Sequence, residues 1–137
     1  MTSSGADAQP GIGMPSLLRA TLSLQAAYYI VTGLWPILHL ASFEAVTGPK
    51  ADDWLVRTVG ALVITIGLSL GVAARRREAP APVLVLAVAA AIAFIAIDVA
   101  YVGVGRISPI YLADALAEAA LLAMLFTGYR RIARPVS

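Results

Sequence analysis

Four long apolar stretches dominate this chain and leave few folds open to it. They cover residues 17–40, 54–74, 82–104 and 109–129. The hydrocarbon core of a bilayer is about 30 Å thick, and a helix needs roughly 20 apolar residues to cross it. Each stretch meets that length. We therefore predict an all-α, polytopic membrane protein built as a bundle of four transmembrane helices.

Composition excludes the common soluble classes. Hydrophobic residues make up 60% of the 137 residues and charged residues only 13%, whereas a soluble domain carries roughly 25% charged residues. The chain therefore has too little charge for the surface of a soluble enzyme, a disordered chain or a nucleic-acid-binding protein. It contains no cysteine, which excludes disulfides and cysteine-ligated cofactors.

Turn and capping residues separate the apolar stretches. They are Pro15 and Ser16 before the first helix, Asp52 or Asp53 as the cap of the second, Pro80 and Pro82 at the start of the third, Gly103 and Gly105 after it, and Ser108 and Pro109 at the start of the fourth. Residues 16–130 thus form one transmembrane domain. We expect residues 1–15 to be disordered, with no cleaved signal peptide, and residues 131–137 to form a basic tail.

The basic residues predict an orientation. Seven of the ten fall on one side of a four-span protein: Arg19, Arg75, Arg76, Arg77, Arg130, Arg131 and Arg134. Only Lys50, Arg57 and Arg106 fall on the other side. The positive-inside rule therefore places both termini in the cytoplasm and the loop that carries Lys50 outside.

Ionisable residues inside the spans mark the candidate site. Arg57 lies in the second span, Asp98 in the third, and Asp114 and Glu118 in the fourth, all in the outer half of the membrane. Such groups cost about 2.5–3.5 kcal/mol each near the centre of a spanning helix and usually face the bundle interior. We predict that the four line one outward-facing pocket closed below by apolar residues.

Helical spacing adds aromatic and polar residues to this pocket. Tyr111, Asp114 and Glu118 share one face of the fourth span, and Asp98 and Tyr101 share a face of the third. One stripe of the first span holds Gln25, Tyr28, Thr32, Trp35 or Pro36, and His39. The predicted ligand- or proton-binding set is Asp98, Asp114, Glu118, Arg57, Tyr101, Tyr111, His39, Trp35 and Tyr28.

The charge balance of the predicted pocket favours a cationic guest. One arginine faces three carboxyl groups, so a fully ionised pocket would carry about −2 in a medium of low dielectric constant. Protons on one or two carboxyl groups would offset that charge, and so would a bound metal or an organic cation held against aromatic rings. No metal-ligand motif is present, and we predict no metal site and no cofactor.

Several of these residues also have a structural interpretation. Arg57 can form a helix-end ion pair with Asp53 or Asp98. Tryptophan and tyrosine near the ends of spans are typical of the interfacial aromatic belt, and His39 lies at the same level. The arginine clusters serve as orientation signals and as contacts for lipid headgroups.

The segment Phe43–Lys50, followed by Trp54–Gly60, resembles segments of bacterial membrane proteins. With four short-looped spans, the layout resembles the small bacterial integral membrane proteins of the DoxX-like kind. The resemblance implies a bacterial origin and an inner-membrane location, and it carries over no functional residues. The small multidrug transporters have the same size, but their key glutamate lies in the first span, where this chain has no acid.

Three functions remain open. We expect a protein that binds or transports a small cation or a polar-headed apolar molecule, coupled to protons. The alternatives are an intramembrane enzyme that uses carboxyl groups as acid and base on a lipid-soluble substrate, and an accessory subunit whose charged cluster docks a partner helix. The expected partners are the lipid bilayer, the ligand, and a second copy or a membrane subunit, with no nucleic acid.

Overall fold

The computed structural model describes residues 13–132. Within that range 82% of the residues are helical and none is in a strand. Five helices follow one another: α1 (Ser16–Leu38), α2 (Leu40–Thr47), α3 (Asp53–Arg76), α4 (Ala81–Gly103) and α5 (Tyr111–Arg130). Most of the predicted disordered N-terminus, residues 1–12, and the end of the predicted basic tail, residues 133–137, lie outside the described residues.

The four long helices begin and end within two residues of the predicted spans. Three of them, α3, α4 and α5, are each long and apolar enough to cross a membrane. Helix α1 meets the same test only together with α2, and the pair is bent by 111°. The part of the chain described here thus holds three candidate spans, or four if the bent pair counts as one, which is consistent with a helical membrane protein.

The sharp bend between α1 and α2 was not predicted. Pro36 lies inside α1 and removes one backbone donor, and the helix ends two residues later. His39 leaves the helical conformation at φ −148°, and its Nδ1 accepts a hydrogen bond from the Ser42 backbone N–H at 3.2 Å. Trp35 donates from Nε1 to Ser42 Oγ at 2.8 Å and meets Phe43 edge to face. Histidine capping and an aromatic contact thus hold α2 across the end of α1.

Helix α1 packs most extensively against α3, and glycines bring the two backbones into contact. A Cβ atom added at Gly33 would lie 2.5 Å from the Gly60 carbonyl oxygen, and one at Gly60 would lie 2.5 Å from the Gly33 oxygen. One added at Gly67 would lie 2.9 Å from the Ala26 oxygen. Small residues thus allow α1 and α3 to approach closely.

On its other side α1 packs against α5, which packs in turn against α4. Helix α1 reaches α4 through the side chains of Gln25 and Tyr29. Leucines and alanines form the core; Leu18, Leu22 and Leu70 are fully buried. Large apolar side chains in the middle of the helices point outward, among them Leu116 at 73% exposure and Val85 at 65%. An apolar outer surface of this kind suits lipid.

The helix ends differ from expectation in two details. Asp52 occupies the N-cap position of α3, but its side chain makes no capping hydrogen bond there. Helix α5 begins at Tyr111 rather than at residue 109, and Ser108 Oγ accepts a hydrogen bond from the Ile110 N–H just before it. At the other end of the bundle Arg19 Nε donates to the Ala74 carbonyl at 3.2 Å, which places a cation at the negative end of α3.

Candidate functional site

Three carboxyl groups meet between α4 and α5, and we call Asp98, Asp114 and Glu118 the acidic cluster. Asp98 on α4 is 4% exposed and Glu118 on α5 is 1% exposed. Asp114 lies one turn before Glu118 and is partly buried. The Asp98 carboxyl is close enough to the Asp114 carboxyl for the two to interact electrostatically. The structure thus brings together the three acids that the sequence placed in one pocket.

Two consecutive tyrosines of α1 hold the carboxyl groups of α5. The Tyr28 hydroxyl donates to Asp114 Oδ1, and the Tyr29 hydroxyl donates to Glu118 Oε2 at 3.0 Å. Tyr29 is 1% exposed and also meets Phe94 of α4 edge to face. Consecutive helical residues point about 100° apart, so each tyrosine reaches a different carboxyl group.

Gln25, one turn before Tyr29, extends this network to α4. Its side chain is fully buried. Its Nε2 donates to the Tyr29 hydroxyl at 3.1 Å and to the Ala87 carbonyl at 3.0 Å. The hydrogen bonds therefore run from Ala87 of α4 through Gln25 and Tyr29 to Glu118 of α5, joining three helices.

Two buried oxygen atoms of this region have no hydrogen-bond partner: Oε1 of Gln25 and Oδ2 of Asp98. A buried polar atom left without a partner costs roughly 1–3 kcal/mol. A carboxyl oxygen is an acceptor when ionised and a donor when it carries a proton. The unpartnered Asp98 oxygen, held beside Asp114, is therefore a place for a proton or for a donor from a bound ligand.

No cationic side chain bonds to the acidic cluster within residues 13–132. Its hydrogen-bond donors are the neutral hydroxyls of Tyr28 and Tyr29. Arg57, the predicted counter-charge, is exposed near the start of α3, the helix that has few contacts with α4. The structure does not bring Arg57 to the acids, because the buried face of α3 packs on α1.

Lys50, for which the sequence predicts only a position in a loop, lies over Tyr111, the first residue of α5. Its Nζ is 5.3 Å from the centroid of the Tyr111 ring and 5.8 Å from that of Phe43. The same Nζ donates to the carbonyls of Thr47 and Gly48. Tyr111 precedes Asp114 by one turn, so the loop after α2 places a cation at the N-terminal end of the helix that carries Asp114. No sequence signal pairs these distant residues.

The other predicted residues lie at the periphery. Tyr101 is 50% exposed, and Trp35 is 37% exposed and bonded to Ser42. His39 is exposed and caps α2. Sequence reasoning placed Gln25 on the pocket stripe but left both Gln25 and Tyr29 out of the predicted binding set. Their spacing of four residues in an apolar helix is the signal that could have found them.

Two further features bear on ligands. In the described part of the chain, no group of three or more His, Cys, Asp or Glu side chains is placed to hold a metal ion. Beside the acidic cluster, an apolar groove of about 270 Å³ opens between α1 and α5. Tyr28 is part of its lining.

Comparison of the chain with known protein families, curated proteins and solved structures finds no match. The resemblance to DoxX-like proteins stays a prediction.

Proposed function

We propose that this chain is a multi-pass membrane protein that binds a positively charged ligand at the acidic cluster in exchange for protons. The observation that carries the proposal is the burial of Asp98 and Glu118, 4% and 1% exposed, beside Asp114. The described residues supply only neutral hydrogen-bond donors to these three groups.

The negative charge of the acidic cluster is the physical reason for binding a cation in exchange for protons. Several ionised carboxyl groups in a medium of low dielectric constant are strongly unfavourable unless something neutralises them. In the empty site a proton shared between Asp98 and Asp114 lets one carboxyl group donate to the other. A cation at the same place supplies the missing positive charge and displaces the proton. Binding of the two is then competitive, which is the minimum requirement for proton-coupled transport.

The arrangement of basic residues supports an orientation for this protein. The turn Arg75–Arg77 lies at the opposite end of the bundle from α2 and Lys50. By the positive-inside rule the arginine end faces the cytoplasm, both termini are cytoplasmic, and the acidic cluster lies in the outer half of a bacterial inner membrane. The chain has no native cysteine, so single cysteines report the orientation directly. We expect a membrane-impermeant maleimide to label Ala51→Cys and to spare Glu78→Cys in intact cells.

Proton release tests the function. Purified protein in nanodiscs of zwitterionic lipid, held in weak buffer at neutral pH with an indicator dye, is mixed with tetramethylammonium or with decyltrimethylammonium. We expect at least one of these cations to release protons from the wild type beyond the signal of empty nanodiscs. Asp114→Asn is expected to lower that release at least tenfold.

Asp53→Asn is the matched control, because it removes an exposed carboxyl group at the start of α3. We expect it to release protons as the wild type does. Gel filtration establishes that each variant is folded. The proposal is wrong if neither cation releases protons from the wild type, or if a folded Asp114→Asn protein and Asp53→Asn respond alike.

A further inference from the structure

The groove between α1 and α5 has an almost wholly apolar lining. Its residues are Leu24, Tyr28, Ala117, Ala120, Leu121 and Met124. Apart from the aromatic ring of Tyr28, every lining side chain is aliphatic or a thioether. The groove exists because two alanines of α5, Ala117 and Ala120, face α1 where larger side chains would fill the space.

Tyr28 belongs to the groove and to the acidic cluster at once. Its ring lines the groove, and its hydroxyl donates to Asp114. Ala117, at the same end of the groove, precedes Glu118 in the sequence. From there the groove follows both helices away from α2, to Leu24 on α1 and Met124 on α5. One end of the groove thus lies against the ring of Tyr28, whose hydroxyl bonds to Asp114.

The size of the groove limits its occupant. Ligand pockets usually measure roughly 300–1,000 Å³, and this groove measures about 270 Å³. It has room for one alkyl chain and too little for a pair of acyl chains. Met124 at its far end has the flexible, polarisable side chain that adapts to chains of different shape.

The charge of the head group determines which ligand the groove selects. Alkyl chains gain little on moving from lipid into an apolar groove, because lipid is equally apolar. A head at the Tyr28 end meets the face of an aromatic ring and the carboxyl groups beyond it. Both attract a cation, and the carboxyl groups repel an anion.

We propose that the ligand is a single-chain amphiphile with a cationic head, such as an alkylammonium, which enters sideways from the bilayer. The chain lies between Leu24 and Met124, and the head lies at Tyr28 and Asp114. This inference rests on the proposed function, which leaves the shape of the cation open.

Tail dependence tests the inference in the same proton-release experiment. Decyltrimethylammonium and tetramethylammonium carry the same head, and decyl sulfate carries the same tail with an anionic head. We expect decyltrimethylammonium to release protons at a concentration at least tenfold below that of tetramethylammonium, and decyl sulfate to release none. Filling the groove with Ala120→Leu is expected to raise the half-maximal concentration of decyltrimethylammonium about tenfold and to leave tetramethylammonium unchanged.

Ala119→Leu is the matched control, since Ala119 is an exposed neighbour on α5 that does not line the groove. It is expected to behave as the wild type. Equal potency of the tailed and tail-less cations, or an equal response of Ala120→Leu and Ala119→Leu, overturns the groove while the proposed function stands. Loss of all cation-dependent proton release overturns both.

Discussion

The two sides of α1 are built in opposite ways. Toward α3, Gly33 and Ala26 let the backbones touch, and the interface is held by dry, close packing. Toward α4 and α5, Gln25, Tyr28 and Tyr29 present hydrogen-bonding groups to carboxyl groups and to a backbone carbonyl. At these close contacts the side of α1 that faces α3 presents no polar side chain to a ligand. The side that faces α4 and α5 borders two buried acceptors without partners, Oε1 of Gln25 and Oδ2 of Asp98. The difference indicates that the interface between α1 and α3 is the scaffold and that the side of α1 facing α4 and α5 belongs to the site.

Substitution of the scaffold glycines should have the largest effect on stability. Gly60→Ala places a methyl group 2.5 Å from the carbonyl oxygen of Gly33, and backbone cannot move aside as a side chain can. We expect a loss of about 3 kcal/mol of unfolding free energy, at the upper end of the usual cost of overpacking. Unfolding in mixed detergent micelles measures it.

Gly71→Ala is the control for that substitution. Its methyl group would meet only the Cβ of Ala26 at 3.5 Å, an ordinary contact. Because alanine favours helix over glycine by up to about 1 kcal/mol, we expect Gly71→Ala to be neutral or stabilising. Equal destabilisation by the two alanines would show that close packing against α1 is not what α3 requires.

Removal of the Tyr29 hydroxyl should lower the unfolding free energy more than removal of the Tyr28 hydroxyl. Tyr29→Phe removes the donor to Glu118 and the acceptor for Gln25, which leaves two buried polar groups without that partner. We expect a loss of about 2 kcal/mol.

For Tyr28→Phe we expect a loss of about 1 kcal/mol or less, because Tyr28 is only partly buried. The same unfolding assay compares the two variants. A larger loss for Tyr28→Phe than for Tyr29→Phe would contradict the buried relay through Gln25.

The smallest effect is expected at Arg57. Its side chain is exposed and forms no hydrogen bond with the acidic cluster, so Arg57→Gln should change the unfolding free energy by no more than about 0.5 kcal/mol. Cation-dependent proton release should also stay at the wild-type level. A large loss of release in Arg57→Gln would restore the role of counter-charge that the sequence suggested.

Sequence patterns predicted the features that depend on a single helix, namely where it begins and ends and which residues share one of its faces. Apolar length gave the ends of the long helices to within two residues, and spacing on α5 placed Asp114 and Glu118 on one face. The choice of Arg57 as counter-charge depends on which helices are neighbours, and the spacing within one helix does not state that. Helix α3 packs on α1 through Gly60 and Gly67, and the exposed Arg57 side chain forms no hydrogen bond with the acidic cluster.

The bend at His39 and the approach of Lys50 to Tyr111 escaped prediction for a related reason. Pro36 signals a weakened helix, but nothing local states that Ser42 will accept from Trp35 and hold α2 across the helix end. The contact between Lys50 and Tyr111 joins the loop after α2 to the first residue of α5 and follows from that bend. Contacts of this kind between separate segments leave no periodic pattern in the sequence from which they could be predicted.

The most direct test of the account is whether the acidic cluster holds protons when no ligand is bound. Infrared spectroscopy of the protein in nanodiscs at neutral pH detects the C=O stretch of a protonated carboxyl group. We predict such a band in the wild type, a weaker one in Asp98→Asn, and its decrease when decyltrimethylammonium is added. A spectrum in which every carboxyl group of the wild type is already ionised, or a band that Asp98→Asn, Asp114→Asn and Glu118→Gln all leave unchanged, would contradict the account.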